Sequence, residues 1–398
     1  MASTWISNLG DGIALAAGPL LVASQTRSPA LVSMAMMMIG LPWLLFGLYA
    51  GAVADRVDRL RMVLIANTLR IVVLVTLVGS IVTGMVNIAV VLTAMFLLGT
   101  AEVFADTAYR TFLPMLVDKR DLGIANARLQ AGFVTLNQFA GAPVGAALFA
   151  VGMAVPFGVQ IGCGLLAIVL VSRIVLPPVP AREAPTHVRR DIADGFRWLL
   201  NHPPVRTLAL VIVTFNITWA ASWAMLVLWS LDVLDMGPVG YGLLTTAAAA
   251  GGIVGTFLFG WLERHVALAT LMRACLGLEV AMHLGFAVTT AAWVALLIMF
   301  GFGLYAFVWG TLSQAVRQRA VPLAFQGRVG SVYSVSIHGG VVIGAAVGGL
   351  IAEHGGVTAP FWFAFVGSGL TLLLVWRQLA PIAHVDEHEV HGSAPPAG

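Results

Sequence analysis

Twelve long stretches of this chain carry almost no charge, and no other feature narrows the possible folds so far. They run over residues 3–24, 30–53, 62–84, 86–109, 123–149, 153–176, 207–231, 239–262, 266–288, 291–314, 329–352 and 358–376. Each is about 20 residues or longer, the length a helix needs to cross a hydrocarbon layer of ~30 Å. Within such a layer no water satisfies the peptide groups, so an uncharged stretch of this length has to be helical. Only 10% of the residues are charged, against 59% apolar. Soluble domains carry roughly 25% charged residues, so a water-facing surface of this size is excluded. The expected fold is an all-α membrane protein with twelve transmembrane helices.

The net charge of +3 would suit an acidic partner, but its placement argues otherwise. Arg56, Arg59, Arg61, Arg110, Lys119, Arg120, Arg128, the long central connection, Arg264, Arg273, Arg317, Arg319, Arg328 and Arg377 all fall on one side of twelve crossings. Arg70, a little inside the third span, is expected to snorkel to that same side, which leaves only Arg27 opposite. Basic loops mark the cytoplasmic face, so both termini are expected there, with no role for nucleic acid. The first span is expected to act as its own targeting signal. Cys163 and Cys275 lie in apolar runs without disulfide or metal-ligand spacing, and no cofactor or metal is expected.

One connection is long. Pro177, Pro178, Pro180 and Pro185 make its first part extended, and Val188 to His202 reads as an amphipathic helix with Ile192, Phe196, Leu199 and Leu200 on one face, lying on the membrane surface. This divides the chain into a half at 1–176, a linker at 177–206, a second half at 207–377 and a disordered tail at 378–398 that carries His384, His388 and His391. The halves echo each other. GAVADR (51–56) follows span two and GWLER (260–264) follows span eight, while GAPVGAAL (141–148) in span five answers GGVVIGAAVGGL (339–350) in span eleven. Two pseudo-symmetric six-helix halves of this kind place a substrate near mid-membrane where they meet.

GAVADRVDRLR, Gly51 to Arg61, resembles the loop motif of the major facilitator superfamily, matching at Gly51, Asp55, Arg56, Arg59 and Arg61 and departing at Asp58, where many members have Gly. SNLGDG (7–12), LPWLLFGLYAGAVADR (41–56) and FLPMLVDKRDLGIANA (112–127) are similar to the bacterial drug and siderophore efflux branch, the enterobactin exporter group. The resemblance implies that Asp55 latches one conformation by meeting the start of span eleven around Gln326 to Gly330. Gly141, Pro143 and Gly145 resemble the antiporter signature of the superfamily, although Ala142 stands where Gly is usual, and they imply a bent, closely packed fifth span.

Ionisable groups inside the spans are costly and therefore informative. Asp11 lies in span one, while Glu102, Asp106 and Arg110 recur every four residues on one face of span four. Asp106 is expected to pair with Arg110, leaving Asp11 or Glu102 as proton carrier. Glu279 and His283 on span nine form another such pair, read as structural with a proton site as the alternative. His338 on span eleven is read as a hydrogen-bonded neutral ring. In this superfamily spans one, four, seven and ten line the cavity, which implies that Asn8, Phe215, Asn216, Trp219, Trp223, Tyr305 and Trp309 face it. Such a lining suits amphipathic or aromatic molecules. The Met34, Met36, Met37 and Met38 cluster is read as packing filler.

A nucleotide-driven pump is excluded because the single lysine, Lys119, sits between Asp118 and Arg120 and not in a phosphate-binding loop. A hydrolase is excluded because Ser368 lacks a nucleophile-elbow context. The expected function is proton-coupled export of small molecules from a bacterial cell by a monomer in the inner membrane. An uptake permease, or more distantly a sensor on the same scaffold, is the alternative. In a background lacking Cys163 and Cys275, cysteines introduced at 182 and 237 should react from opposite faces of sealed vesicles. Labelling from the same face would overturn the twelve-span arrangement.

Overall fold

The computed structural model describes residues 2–54, 57–118, 121–173 and 188–379. It is helical almost throughout. The first half contains α1 (Ala2–Gln25), α2 (Pro29–Ala54), α3 (Arg59–Val82), α4 (Ile88–Leu116), α5 (Leu122–Gly132), a π-helical stretch at Phe133–Gly141, α6 (Ala142–Val151) and α7 (Val155–Ser172). After α8 (Val188–Asn201) come α9 (Pro203–Trp223), α10 (Leu226–Asp232), α11 (Gly237–His265), α12 (Leu268–Val288), α13 (Ala292–Ala320), α14 (Leu323–Gly355) and α15 (Ala359–Val375). Among the described residues eleven stretches are long and apolar enough to cross a membrane, and α15, an apolar helix of 17 residues, stands where the twelfth span is expected.

Local chemistry explains many boundaries. Pro156, Pro203, Pro238 and Pro360 sit in the first turn of their helices, where no amide donor is required. Asp58 caps α3 by accepting from the Arg61 amide at 3.1 Å, and Asn87 caps α4 through the Val90 amide at 3.1 Å. The residue at which the loop motif departs from its family pattern is thus the N-cap of the third span.

Two expected spans are not single helices. Span five runs through α5, the π-helical stretch and α6, because Pro143 cannot donate to the turn before it and the wider π turn absorbs the mismatch. Span seven is interrupted between α9 and α10, where the Met225 amide turns back to the Ser222 carbonyl at 3.1 Å. The linker helix also differs from the expectation of a helix simply lying on the bilayer. It docks on the start of α14, with the Trp198 and Phe325 rings 5.7 Å apart and Leu199 4% exposed, while Phe196 and Leu200 stay outward. Gly195 permits this approach, since a Cβ there would come 2.7 Å from the Arg328 carbonyl oxygen. The proline-rich segment 177–187 and the residues from 380 onward lie outside the described residues.

The halves meet along two seams, α2 against α14 and α6 with the π stretch against α11. At the end away from the basic loops, Arg27 pairs with Asp232 of α10 at 2.8 Å. Beside it, Glu353 of α14 accepts from the Ser28 hydroxyl at 2.9 Å and the Ala30 amide at 3.1 Å, so one half caps a helix of the other. Within the first half, α1 and α6 touch backbone to backbone at Gly145, where a Cβ would collide with the Ile13 carbonyl. At Gly158 a Cβ would meet nothing within 4 Å. Gly145→Ala should therefore lower the unfolding temperature in detergent, with an overpacking cost of ~1–3 kcal/mol. Gly158→Ala should raise it, by up to ~1 kcal/mol of helix propensity. Equal shifts for both would remove the close contact as the reason for Gly145.

Candidate functional site: a polar cluster inside the first half

α1, α3 and α7 each turn a short polar row toward the same point. From α1 come Ser7 and Asp11, from α3 Asn67 and Arg70, and from α7 Gln160 and Cys163. Residues three or four apart share a helix face, which aligns Ser7 with Asp11 and Asn67 with Arg70. Gly10 lets α7 approach, since a Cβ there would lie 3.0 Å from that of Cys163. Asp11 stands nine residues past the start of α1, about 14 Å along the axis and therefore near mid-membrane.

Arg70 pairs with Asp11 through Nη2 and Oδ1, their side chains 13% and 25% exposed. Gln160 Nε2 donates to the same Oδ1 at 3.4 Å, and Ser7 donates to Oδ2 at 3.4 Å. The carboxylate is thus held from three helices. Gln160 Oε1 is buried and has no hydrogen-bond partner among the described residues. These groups surround a cavity of about 20 Å³, room for a water molecule that could satisfy such an acceptor. This corrects the expectation for Arg70. Its guanidinium does not snorkel outward, because a carboxylate within reach inside the bundle stabilises it more than a longer path to the interface.

Glu102 and Asp106, one turn apart on α4, both lie within electrostatic reach of Arg70, as does Asp11. Asn67 donates to the Tyr109 hydroxyl at 3.3 Å, tying α3 to α4 beside them. Among the described side chains, three carboxylates therefore lie in the field of the Arg70 guanidinium. The expected Asp106–Arg110 contact falls on an Arg110 side chain outside the described ones. Asn67, Arg70 and Gln160 were not among the expected site residues. The three-residue spacing of Asn67 and Arg70 in an otherwise apolar span was the available signal.

The remaining expected residues are spread over several places. Asp55 and Arg56 of the latch motif lie outside the described residues, Gly51 is half-buried, Arg61 is exposed, and Arg59 reaches the Ala54 carbonyl at 3.3 Å and Met115 Sδ at 3.0 Å. Gln326, in the expected latch partner segment, donates to the carbonyls of Gln318 and Val321, both at 3.3 Å. Gly141, Pro143 and Gly145 lie at the π stretch and the α1 contact. Asn8, Trp219, Trp223 and Trp309 are half-buried. Asn216 donates to the Ile212 carbonyl at 2.7 Å.

Two of the aromatic residues do not face a cavity here. Phe215 is 5% exposed within the core, and Tyr305, 3% exposed, donates to Met282 Sδ of α12 at 3.4 Å. Tyr305 therefore points into the second half, because α12 offers its hydroxyl the partner that the space between the halves would have to supply as water. The Trp219 ring lies tilted against Trp223 at 5.2 Å and Trp223 against Phe302 at 5.1 Å, and the buried Trp219 indole nitrogen has no hydrogen-bond partner among the described residues. His338 lies over Trp43 across the seam at 5.0 Å and donates from Nδ1 to the Ser334 carbonyl at 2.8 Å.

Known proteins share this architecture. The sequence profile of the family described as transmembrane secretion effector matches residues 1–395. The chain is 27% identical over 369 residues to the multidrug efflux pump Tap of Mycolicibacterium fortuitum, covering 88% of each chain. It is 27% identical over 408 residues to the enterobactin exporter EntS of Shigella boydii serotype 4, covering 95% of this chain and 92% of that one. A bacterial homologue of the iron transporter ferroportin, solved in its inward-facing state, superposes with a TM-score of 0.73 over 96% of this chain and 97% of its own at 15% identity. That last likeness concerns the fold alone.

Removing one member of a buried ion pair strands the other, at ~3–5 kcal/mol, while replacing both by apolar residues is close to neutral. Arg70→Met should therefore unfold at a markedly lower temperature than the parent, and Arg70→Met with Asp11→Leu should recover most of the loss. A double variant as unstable as the single one would show that the pair does not hold these helices together.

Proposed function

The chain belongs to the transmembrane secretion effector family, and on that premise we propose that this secondary transporter exports small amphipathic molecules, of the drug, siderophore or secondary-metabolite kind, in exchange for protons. The observation that carries the coupling ion is Glu102 in span four, within electrostatic reach of an Arg70 guanidinium that is already paired with Asp11. In a medium that solvates ions poorly, a proton is the smallest way to remove the charge of a carboxylate whose nearby cation is engaged elsewhere. A proton arriving on Asp11 releases Arg70 toward Glu102 or Asp106, which alters how α1 packs on α3 and α4. Asp11, Glu102, Asp106 and Arg110 are the coupling set in this reading, with Arg70 as the charge they exchange.

The direction is supported by the relatives, one named an efflux pump and the other an exporter. The moving bodies are taken as residues 1–176 and 207–377, joined by 177–206. Gly51, Asp55, Arg56, Arg59 and Arg61 serve as the latch at the basic end, and Gly141, Pro143 and Gly145 as the pliable part of span five. Asn8, Asn216, Trp219, Trp223 and Trp309 are the side chains proposed to meet substrate. A bacterial inner membrane with both termini in the cytoplasm follows from the basic loops, and a monomer suffices for alternating access. One proton crossing ~100 mV releases about 2.3 kcal/mol, enough for roughly a 50-fold gradient of a neutral substrate.

Proteoliposomes carrying the purified protein, screened with a panel of siderophores and antibiotics with and without a pH gradient, test this reading. Flux of at least one compound should rise with the gradient in the parent. Glu102→Gln or Asp11→Asn should abolish that rise while leaving downhill exchange. A gradient response that survives in both variants would remove the cluster as the coupling site.

A further inference from the structure

The second half holds a buried ionisable group that the first-half cluster does not use. Glu279 and His283 lie one turn apart on α12, and their facing atoms, Oε1 and Nε2, are 3.7 Å apart. Both atoms are buried, and among the described residues neither has a hydrogen-bond partner. Glu279 is 8% exposed and His283 fully buried. The other ring nitrogen of His283, Nδ1, lies 3.1 Å from the Ser222 hydroxyl.

The position is not arbitrary. Arg70 lies eleven residues past the start of α3, and Glu279 eleven past the start of α12, the third span of the other half. Ser222 is the last polar residue of α9 before span seven breaks. Its carbonyl accepts from the Met225 amide at 3.1 Å, and the helix resumes as α10. α10 in turn carries Asp232, which pairs with Arg27 of the first half. His283 therefore meets span seven at its break, beside the buried turn of α10 whose Trp229 packs on Phe286 and Phe361.

The surroundings leave the pair little else to answer to. The titratable groups near Glu279 are Cys275, one turn earlier on α12, and Tyr305 from α13, whose hydroxyl is engaged by Met282. α15, packed along α12, contains no ionisable residue, and the one charged residue of α9, Arg206, is exposed at its far end. A carboxylate facing a neutral imidazole carries a net negative charge in an apolar interior. Binding one proton from water, with no bond broken, converts it to a net-neutral pair joined by an N–H···O bond.

We propose that Glu279, His283 and Ser222 form a second proton-binding site, independent of the Asp11–Arg70 cluster, whose occupancy sets the α9–α10 break and through it the Arg27–Asp232 clasp. When the pair closes from 3.7 Å to hydrogen-bond distance, the imidazole turns and its hold on Ser222 changes.

Hydrogen–deuterium exchange of the segment Trp219 to Leu234, followed by mass spectrometry on the full-length protein in detergent without substrate, reads this directly. Exchange is compared on the acid and alkaline sides of neutral after correction for the intrinsic pH dependence of amide chemistry. The parent should show a several-fold change in protection of this segment. Glu279→Gln with His283→Gln, a neutral pair able to bond to itself, should show none. Ser222→Ala should also lose the response, although the ionisable pair is intact. Asp11→Asn should keep it, which separates this site from the first-half cluster. A parent without a response, or a double variant or Ser222→Ala that retains it, would overturn the proposal. Should the double variant not fold, the parent and Ser222→Ala still decide.

Discussion

A charge inside hydrocarbon must find its partner within the protein, and this requirement organises the molecule more than any other. Arg70 and Asp11 satisfy it across α3 and α1, with Gln160 of α7 completing the shell. The three helices are held at mid-membrane by a contact that could not be left half made, since a stranded buried charge costs several kcal/mol. Glu102 and Asp106 of α4 lie within electrostatic reach of the same guanidinium, so the field of one side chain spans α1, α3 and α4.

The seams between the halves are built on the opposite logic. Along α2 and α14, and along α6 and α11, the helices pack closely without ion pairs among the described residues, with Gly242 bringing α11 against Ala146 and the His338 ring lying over Trp43. The polar clasp at the far end is solvent-exposed, Arg27 at 65% and Asp232 at 42%. Exposed ion pairs contribute at most ~1 kcal/mol each. Weak clasps on firm halves suit a protein that must visit two arrangements of nearly equal free energy. The breaks in spans five and seven fall beside these seams, at the π stretch before Pro143 and at Ser222.

Much of the fold was legible because lipid imposes a simple grammar. Spans such as 30–53 and 239–262 announce themselves by length and lack of charge, and Asp58, Asn87 and the prolines at helix starts mark their edges. The irregularities were less visible. Pro143 signals a disturbance but not whether it resolves as a kink or as nine residues of π helix. The break after Ser222 has no proline at all, and the linker helix displayed an apolar face without saying whether lipid or α14 would cover it.

The candidate site divides in the same way. Asp11, Glu102 and Asp106 stood out in the sequence because a carboxylate in an apolar run is expensive wherever it points. That Arg70, fifty-nine residues after Asp11, is its partner, that Tyr305 turns to Met282, and that His283 reaches Ser222 were decided only by packing. Solvation energy is a property of each residue and its neighbours along the chain, so sequence alone determined which segments leave water and which charges cannot stay alone there. Pairing depends on which helix faces meet, and only the tertiary structure sets those rotations and depths.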